Sequence, residues 1–104
     1  MKLYIAVLDE VPDHMVPILV AHTVLSAHLN FSYSDIYNNW LENSFKKCVV
    51  KVNRKEFNKI MNIPNVHCGF ENTTLGGEYS CIVIRPRLEY PNVLKFAKLW
   101  KPAC

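Results

Sequence analysis

The chain has 104 residues, half of them hydrophobic and a fifth charged, with a formal net charge of +3. That is the size and composition of one globular domain; it excludes a disordered chain and leaves no room for two ordinary domains. The apolar residues are spread along the sequence, without the roughly 18 uninterrupted ones that a membrane span needs, so no membrane partner is expected.

Lys2 to Asp9 is a short apolar run rich in β-formers, closed by acids and a proline, and it predicts a buried strand. Two acids follow at once and no small-residue cleavage site appears, so the run is not read as a signal peptide and a cytoplasmic protein is expected. Val11-Pro12-Asp13 is a turn with an N-cap candidate at Asp13. From about His14 to Phe31 the apolar residues are nearly continuous, which predicts a helix buried on most sides. Pro17 then sits in its first turn, where a missing N–H costs little. Ser34-Asp35 opens a second helix, with Tyr37, Trp40 and Leu41 on one face. Lys46 to Val52 reads as a strand, and alternation places Lys47, Val49 and Lys51 on one of its faces. Asn53 with Glu56 makes a variant capping box for a third helix bearing Phe57, Ile60 and Met61. Val66 to Phe70 is a candidate third strand, Glu71 to Gly77 a polar loop, and Glu78 to Arg85 a strong strand around Cys81-Ile82-Val83-Ile84. Pro91 starts a last helix, with Val93, Phe96, Ala97 and Trp100 at helical spacing.

The expected order is therefore β-α-α-β-α-β-β-α, a sheet with helices packed on its faces. No repeat, low-complexity tract or linker divides it, so residues 1–104 are read as a single domain. Cys48, Cys68, Cys81 and Cys104 form no C-x-x-C pair and are expected to be reduced structural thiols, with no metal site among them. Charge is uneven: residues 1–45 carry one basic side chain against five acids, and residues 46–104 carry eleven against four. A basic second half suits a phosphate-bearing partner, and a solvated lysine face explains it equally well.

The run Ile18-Leu19-Val20-Ala21-His22-Thr23-Val24-Leu25-Ser26-Ala27, after a first strand and a turn, resembles the opening of the type II peptidyl-tRNA hydrolases. His22 matches the histidine of that family's small-residue helix, and Ser26-Ala27 the small pair one turn later. Lys47-Cys48-Val49-Val50-Lys51-Val52 resembles its second strand, with a helix like Arg54–Met61 after it. Gly76-Gly77 leading into Tyr79–Pro86 resembles its loop and last strand. The resemblance covers most of the chain and implies an α/β fold in three α/β/α layers around a four-stranded mixed sheet. It also has departures. The family's catalytic lysine corresponds to Met15, which can neither donate a hydrogen bond nor neutralise a phosphate, and a glutamine usual on that helix falls at Leu19. The acid-bearing loop has Glu71 as its nearest candidate for the family's aspartate, and it is shorter than expected.

Hydrolysis of the ester between a peptide and a tRNA ribose needs an activated water and a group that stabilises the oxyanion. The resemblance implies His22 as base and Glu71 as its orienting partner, the two catalytic candidates. His14, Ser26, Thr73, Thr74, Gly76 and Gly77 are the ligand-binding candidates, His14 lying near the lost lysine position. The alternative for His22 is a helix histidine hydrogen-bonded in a pocket that does no chemistry. Lys46, Lys47, Lys51, Arg54, Lys55 and Arg85, with Lys59 and Arg87, are candidates for a phosphate-binding surface, and Tyr79 is among the aromatic candidates for base stacking. The expectation is a divergent member of this fold that binds tRNA or a nucleotide, without the usual hydrolysis and without a cofactor. Two alternatives stand beside it: an active hydrolase with rearranged residues, and a small viral or accessory protein directed at a host protein. Surfaces of this fold also admit a homodimer.

Overall fold

A computed structural model describes residues 1–70 and 75–101. The elements run β1 (Leu3–Leu8), α1 (Val16–Phe31), α2 (Asp35–Asn39), β2 (Lys47–Val52), α3 (Arg54–Met61), β3 (Val66–Gly69), β4 (Cys81–Ile84), α4 (Asn92–Lys95) and β5 (Lys98–Leu99). The fold is a mixed α/β one with a single mixed sheet in the order β3-β4-β1-β2-β5.

β1 lies at the centre, parallel to β2 in the register Leu3↔Lys47 to Leu8↔Val52 and antiparallel to β4. All six of its residues are buried. Successive side chains of a strand point to opposite faces, so β1 is covered on both, as β4 is. This is why both strands read as unbroken apolar runs. The parallel β1–β2 pair requires a long crossover, which α1 and α2 supply.

The sheet has five strands where four are expected. The last helix is a single turn, Asn92–Lys95, and Phe96 leaves helical geometry at φ −106°, ψ 8°. The chain then pairs Leu99 with Val50 and Lys98 with Lys51, antiparallel, and the Trp100 N–H donates to the Val49 carbonyl at 2.9 Å. Val93, Ala97 and Trp100 do pack against the core, as their spacing suggests, but Phe96 is 79% exposed. The open edge of β2 offers these residues backbone partners that a solvated helix end does not.

α1 departs from expectation in burial. A 3₁₀ turn at Asp13–Met15 leads into it, with Pro17 in its first turn as predicted. One stripe, Val16, Leu19, Thr23, Ala27 and Phe31, is buried, whereas Ile18, Leu25 and Leu29 are 58%, 70% and 74% exposed. The helix lies on the sheet, and nothing among the described residues covers its outer side. α2 begins at Ser34, whose Oγ accepts from the Tyr37 N–H, then widens into a π-helical turn, Trp40–Ser44, ended by left-handed Phe45. The Trp40 indole N–H donates to the Lys46 carbonyl at 2.7 Å and so fixes the entry to β2. α3 carries the capping box in both directions: the Asn53 side chain accepts from the Glu56 N–H and the Glu56 carboxylate from the Asn53 N–H, each at 2.8 Å. No helix among the described residues is long and apolar enough to cross a membrane.

Candidate functional site

The site forms where α1 touches β3. Gly69 has no side chain, and a Cβ there would stand 2.6 Å from Thr23 Oγ1 and 2.8 Å from Thr23 Cγ2. That close approach lets the next turn of α1 reach the neighbouring outward position of β3, and Ser26 Oγ meets His67 Nε2 at 2.7 Å. Asn30, one turn further, places Nδ2 2.9 Å from His67 Nδ1 and 3.2 Å from the Ser26 carbonyl. His22, Ser26, His67, Cys68, Gly69, Phe70 and Tyr79 line a cleft of about 390 Å³ at this junction. Phe70 and Tyr79 meet edge to face, with ring centroids 5.7 Å apart.

Asn30 fixes the tautomer of His67. A carbonyl can only accept, so the Asn30 group facing the Ser26 carbonyl is the NH₂, and the same NH₂ donates to Nδ1. Nδ1 is then the bare nitrogen and Nε2 carries the proton, which it gives to Ser26 Oγ. The hydroxyl proton of Ser26 is left for another acceptor. A serine activated as a nucleophile needs the reverse arrangement, with the imidazole accepting from it. Burial holds His67 below the ordinary histidine pKa, and the neighbouring charge of His22 pushes it in the same direction. Neutral His67 is thus favoured by both the hydrogen bonds and the surroundings.

Of the expected site residues, His22 and Ser26 come together in this cleft. His14 does not: it precedes α1 in the 3₁₀ turn, eight residues before His22 and about 12 Å away along a helix axis. Met15 packs against the core and Leu19 is fully buried in it, so the positions that the resemblance gives to a lysine and a glutamine are occupied by structural apolar groups. Gly76 and Gly77 have φ of 65° and 83°, which glycine adopts without strain, and neither lines the cleft. Glu71, Thr73 and Thr74 lie outside the described residues. His67 and Asn30 went unread in the sequence. Their signal was the polar spacing His22, Ser26, Asn30 at i, i+4, i+8 on a largely apolar helix, which asks for a polar partner.

The basic candidates do not gather. Lys46 and Lys47 stand where β1 and β2 begin, near Arg85, which follows Ile84, the partner of Tyr4. Lys51, Arg54 and Lys55 stand at the opposite end, across a strand of six residues, roughly 16 Å. Arg54 holds Glu10 through two hydrogen bonds, at 2.8 and 3.0 Å, and Glu78 at 3.5 Å. The Arg54 hydrogen bond lowers the Glu10 carboxyl pKa, and Glu10 in return raises that of the guanidinium. Lys51 faces Asp13 at 3.9 Å, and the Lys47 ammonium sits 3.4 Å from the centre of the Phe45 ring. Among the described residues no three His, Cys, Asp or Glu side chains come together to hold a metal ion.

No protein-family model, curated protein sequence or solved structure matches the chain.

Proposed function

We propose that the protein is a divergent relative of the type II peptidyl-tRNA hydrolases, three-layered as they are, that binds tRNA or a nucleotide in the His22–Ser26–His67 cleft without hydrolysing peptidyl-tRNA. The observation that carries this reading is the Asn30–His67–Ser26 chain. It occupies both ring nitrogens of His67, so that His67 has no spare lone pair to take a proton from water, and leaves the Ser26 hydroxyl as the donor toward a ligand. Phe70 and Tyr79, 37% and 49% exposed, offer ring surface on which a base can stack. The apolar Met15 and Leu19 speak for binding over catalysis.

The test is fluorescence anisotropy with labelled tRNA at two salt concentrations, beside a turnover assay on peptidyl-tRNA. Binding that weakens with salt and falls at least tenfold in Ser26→Ala and Tyr79→Ala is expected, with no turnover. Turnover abolished by His22→Ala would instead identify an active hydrolase. Binding indifferent to both variants would remove the cleft from the account.

A second reading is favoured by one observation. α1 has no Asp, Glu, Lys or Arg, and Ile18, Leu25 and Leu29 form an exposed apolar line along it. A patch of this kind suits a partner protein. Salt-insensitive association abolished by Leu25→Glu would support that reading over the first.

A further inference from the structure

Arg85 and Arg87 lie at the far end of the β3–β4 hairpin from the histidine cleft, just beyond Ile84, which pairs with Val66 and Tyr4. Both are half-buried, and both line one small cavity of about 230 Å³ with Pro64 and Asn65. Arg87 and Pro64 also border an adjoining cleft that carries Lys59, Asn62 and Glu89. Among the described residues neither guanidinium has a hydrogen bond or a carboxylate within ion-pair distance. Arg54, by contrast, is held by Glu10 on both arms of its fork.

The backbone beneath these two arginines is pinned. The Arg85 N–H donates to the Asn65 carbonyl and the Arg87 N–H to the Tyr90 hydroxyl, each at 3.1 Å. That hydroxyl donates in turn to the Lys2 carbonyl. Buried Pro86 stands between the two and keeps Arg85 extended. Two half-buried cations line one cavity on a fixed stretch of chain, where a single bound anion can meet both. The cavity lies below the roughly 300 Å³ at which small-molecule pockets begin, so it suits a single group rather than a whole nucleoside. Two guanidinium forks and a carboxamide supply donors for three or more oxygens, which matches a phosphate better than a carboxylate.

We propose that Arg85, Arg87 and Asn65 form an anion site that takes a phosphate group. The site does not rest on the cleft reading. Its phosphate comes either from a small phosphomonoester or from the phosphodiester backbone of a nucleic acid. The full chain, labelled with nitrogen-15, is titrated with inorganic phosphate at constant ionic strength while amide shifts are followed. Saturable shifts concentrated at Asn65, Arg85 and Arg87 are expected, weakened at least tenfold in Arg85→Gln or Arg87→Gln and unchanged in His67→Ala. Shifts that never saturate, or that persist unchanged in both arginine variants, overturn the site. If a glutamine variant does not fold, Arg85→Lys and Arg87→Lys keep the charge without the fork; a severalfold weakening supports the proposal and equal affinity overturns it. Glycerol phosphate and a dinucleotide without terminal phosphate then separate the sources. Saturation by the first alone points to a small phosphorylated ligand, and saturation by both to a nucleic-acid backbone.

Discussion

Thr23 and Gly69 occupy each other's side-chain space: Thr23 Oγ1 and Cγ2 lie 2.6 and 2.8 Å from where a Cβ on residue 69 would be. Thr23 is fully buried and held in place by a hydrogen bond from Oγ1 to the Leu19 carbonyl at 2.8 Å. It cannot swing away without abandoning that bond. The contact sets how closely α1 lies on β3, and through that the Ser26–His67 distance.

Gly69→Ala is therefore expected to destabilise the protein by about 1–3 kcal/mol, the usual cost of overpacking. At about 4–8 °C per kcal/mol for a domain of this size, thermal unfolding should register it clearly. Adding Thr23→Ala removes both clashing atoms and should recover part of the loss. A Gly69→Ala protein that melts with the wild type would show that the helix is free to shift.

His67 makes stability depend on pH. Its folded-state pKa is lowered from 6.5, first by burial and then by the charge of His22. In the window just below 6.5 the unfolded chain binds more protons than the folded one, so stability is complete above that value and is lost as pH falls toward the folded pKa. The urea midpoint should fall between pH 7.5 and pH 5.5, and fall less in His67→Gln. In His22→Ala the imidazole resonances of His67 should titrate closer to the ordinary value. An upward displacement of the His67 titration in the wild type would contradict the assignment.

The reciprocal cap of α3 gives a third expectation. Asn53→Ala removes the acceptor for the Glu56 N–H and should cost about 1 kcal/mol in chemical denaturation. Asn53→Ser, which retains a side-chain oxygen, should restore most of it. Equal losses in the two variants would mean that the cap is not what holds the start of the helix.

Cys81 offers a fourth. Burial pushes its thiol up to about 12, partly offset by a hydrogen bond with Thr23. Thiolate is the reactive form, so native Cys81 should resist alkylation at pH 8 and label only as the protein unfolds. Mass mapping of the labelled peptides would show this, and rapid native labelling at Cys81 would mean that β4 opens readily.

Much of the fold was legible because it is dictated locally. β1, the β4 core and the burial of Phe57 and Ile60 follow from where the apolar residues stand. The starts of α2 and α3 follow from Ser34 and Asn53, whose side chains cap the nearest backbone N–H groups within three residues. The C-terminal segment was not legible. Val93, Ala97 and Trp100 keep helical spacing and do reach the core, but pairing with the edge of β2 is a long-range choice that spacing cannot register.

The site divides in the same way. The sequence by itself determined that His22, Ser26 and Asn30 share one side of a helix, because four-residue spacing fixes it. It also determined that Met15 and Leu19 carry no catalytic charge. Only the tertiary structure decided that His67 meets Ser26, that the basic residues separate to opposite ends of the sheet, and that Arg54 is taken by Glu10 while Arg85 and Arg87 share a cavity. The His67–Ser26 and Arg54–Glu10 contacts join residues 41 and 44 positions apart; the first depends on strand order and on the space left by a glycine, and neither has a local signature.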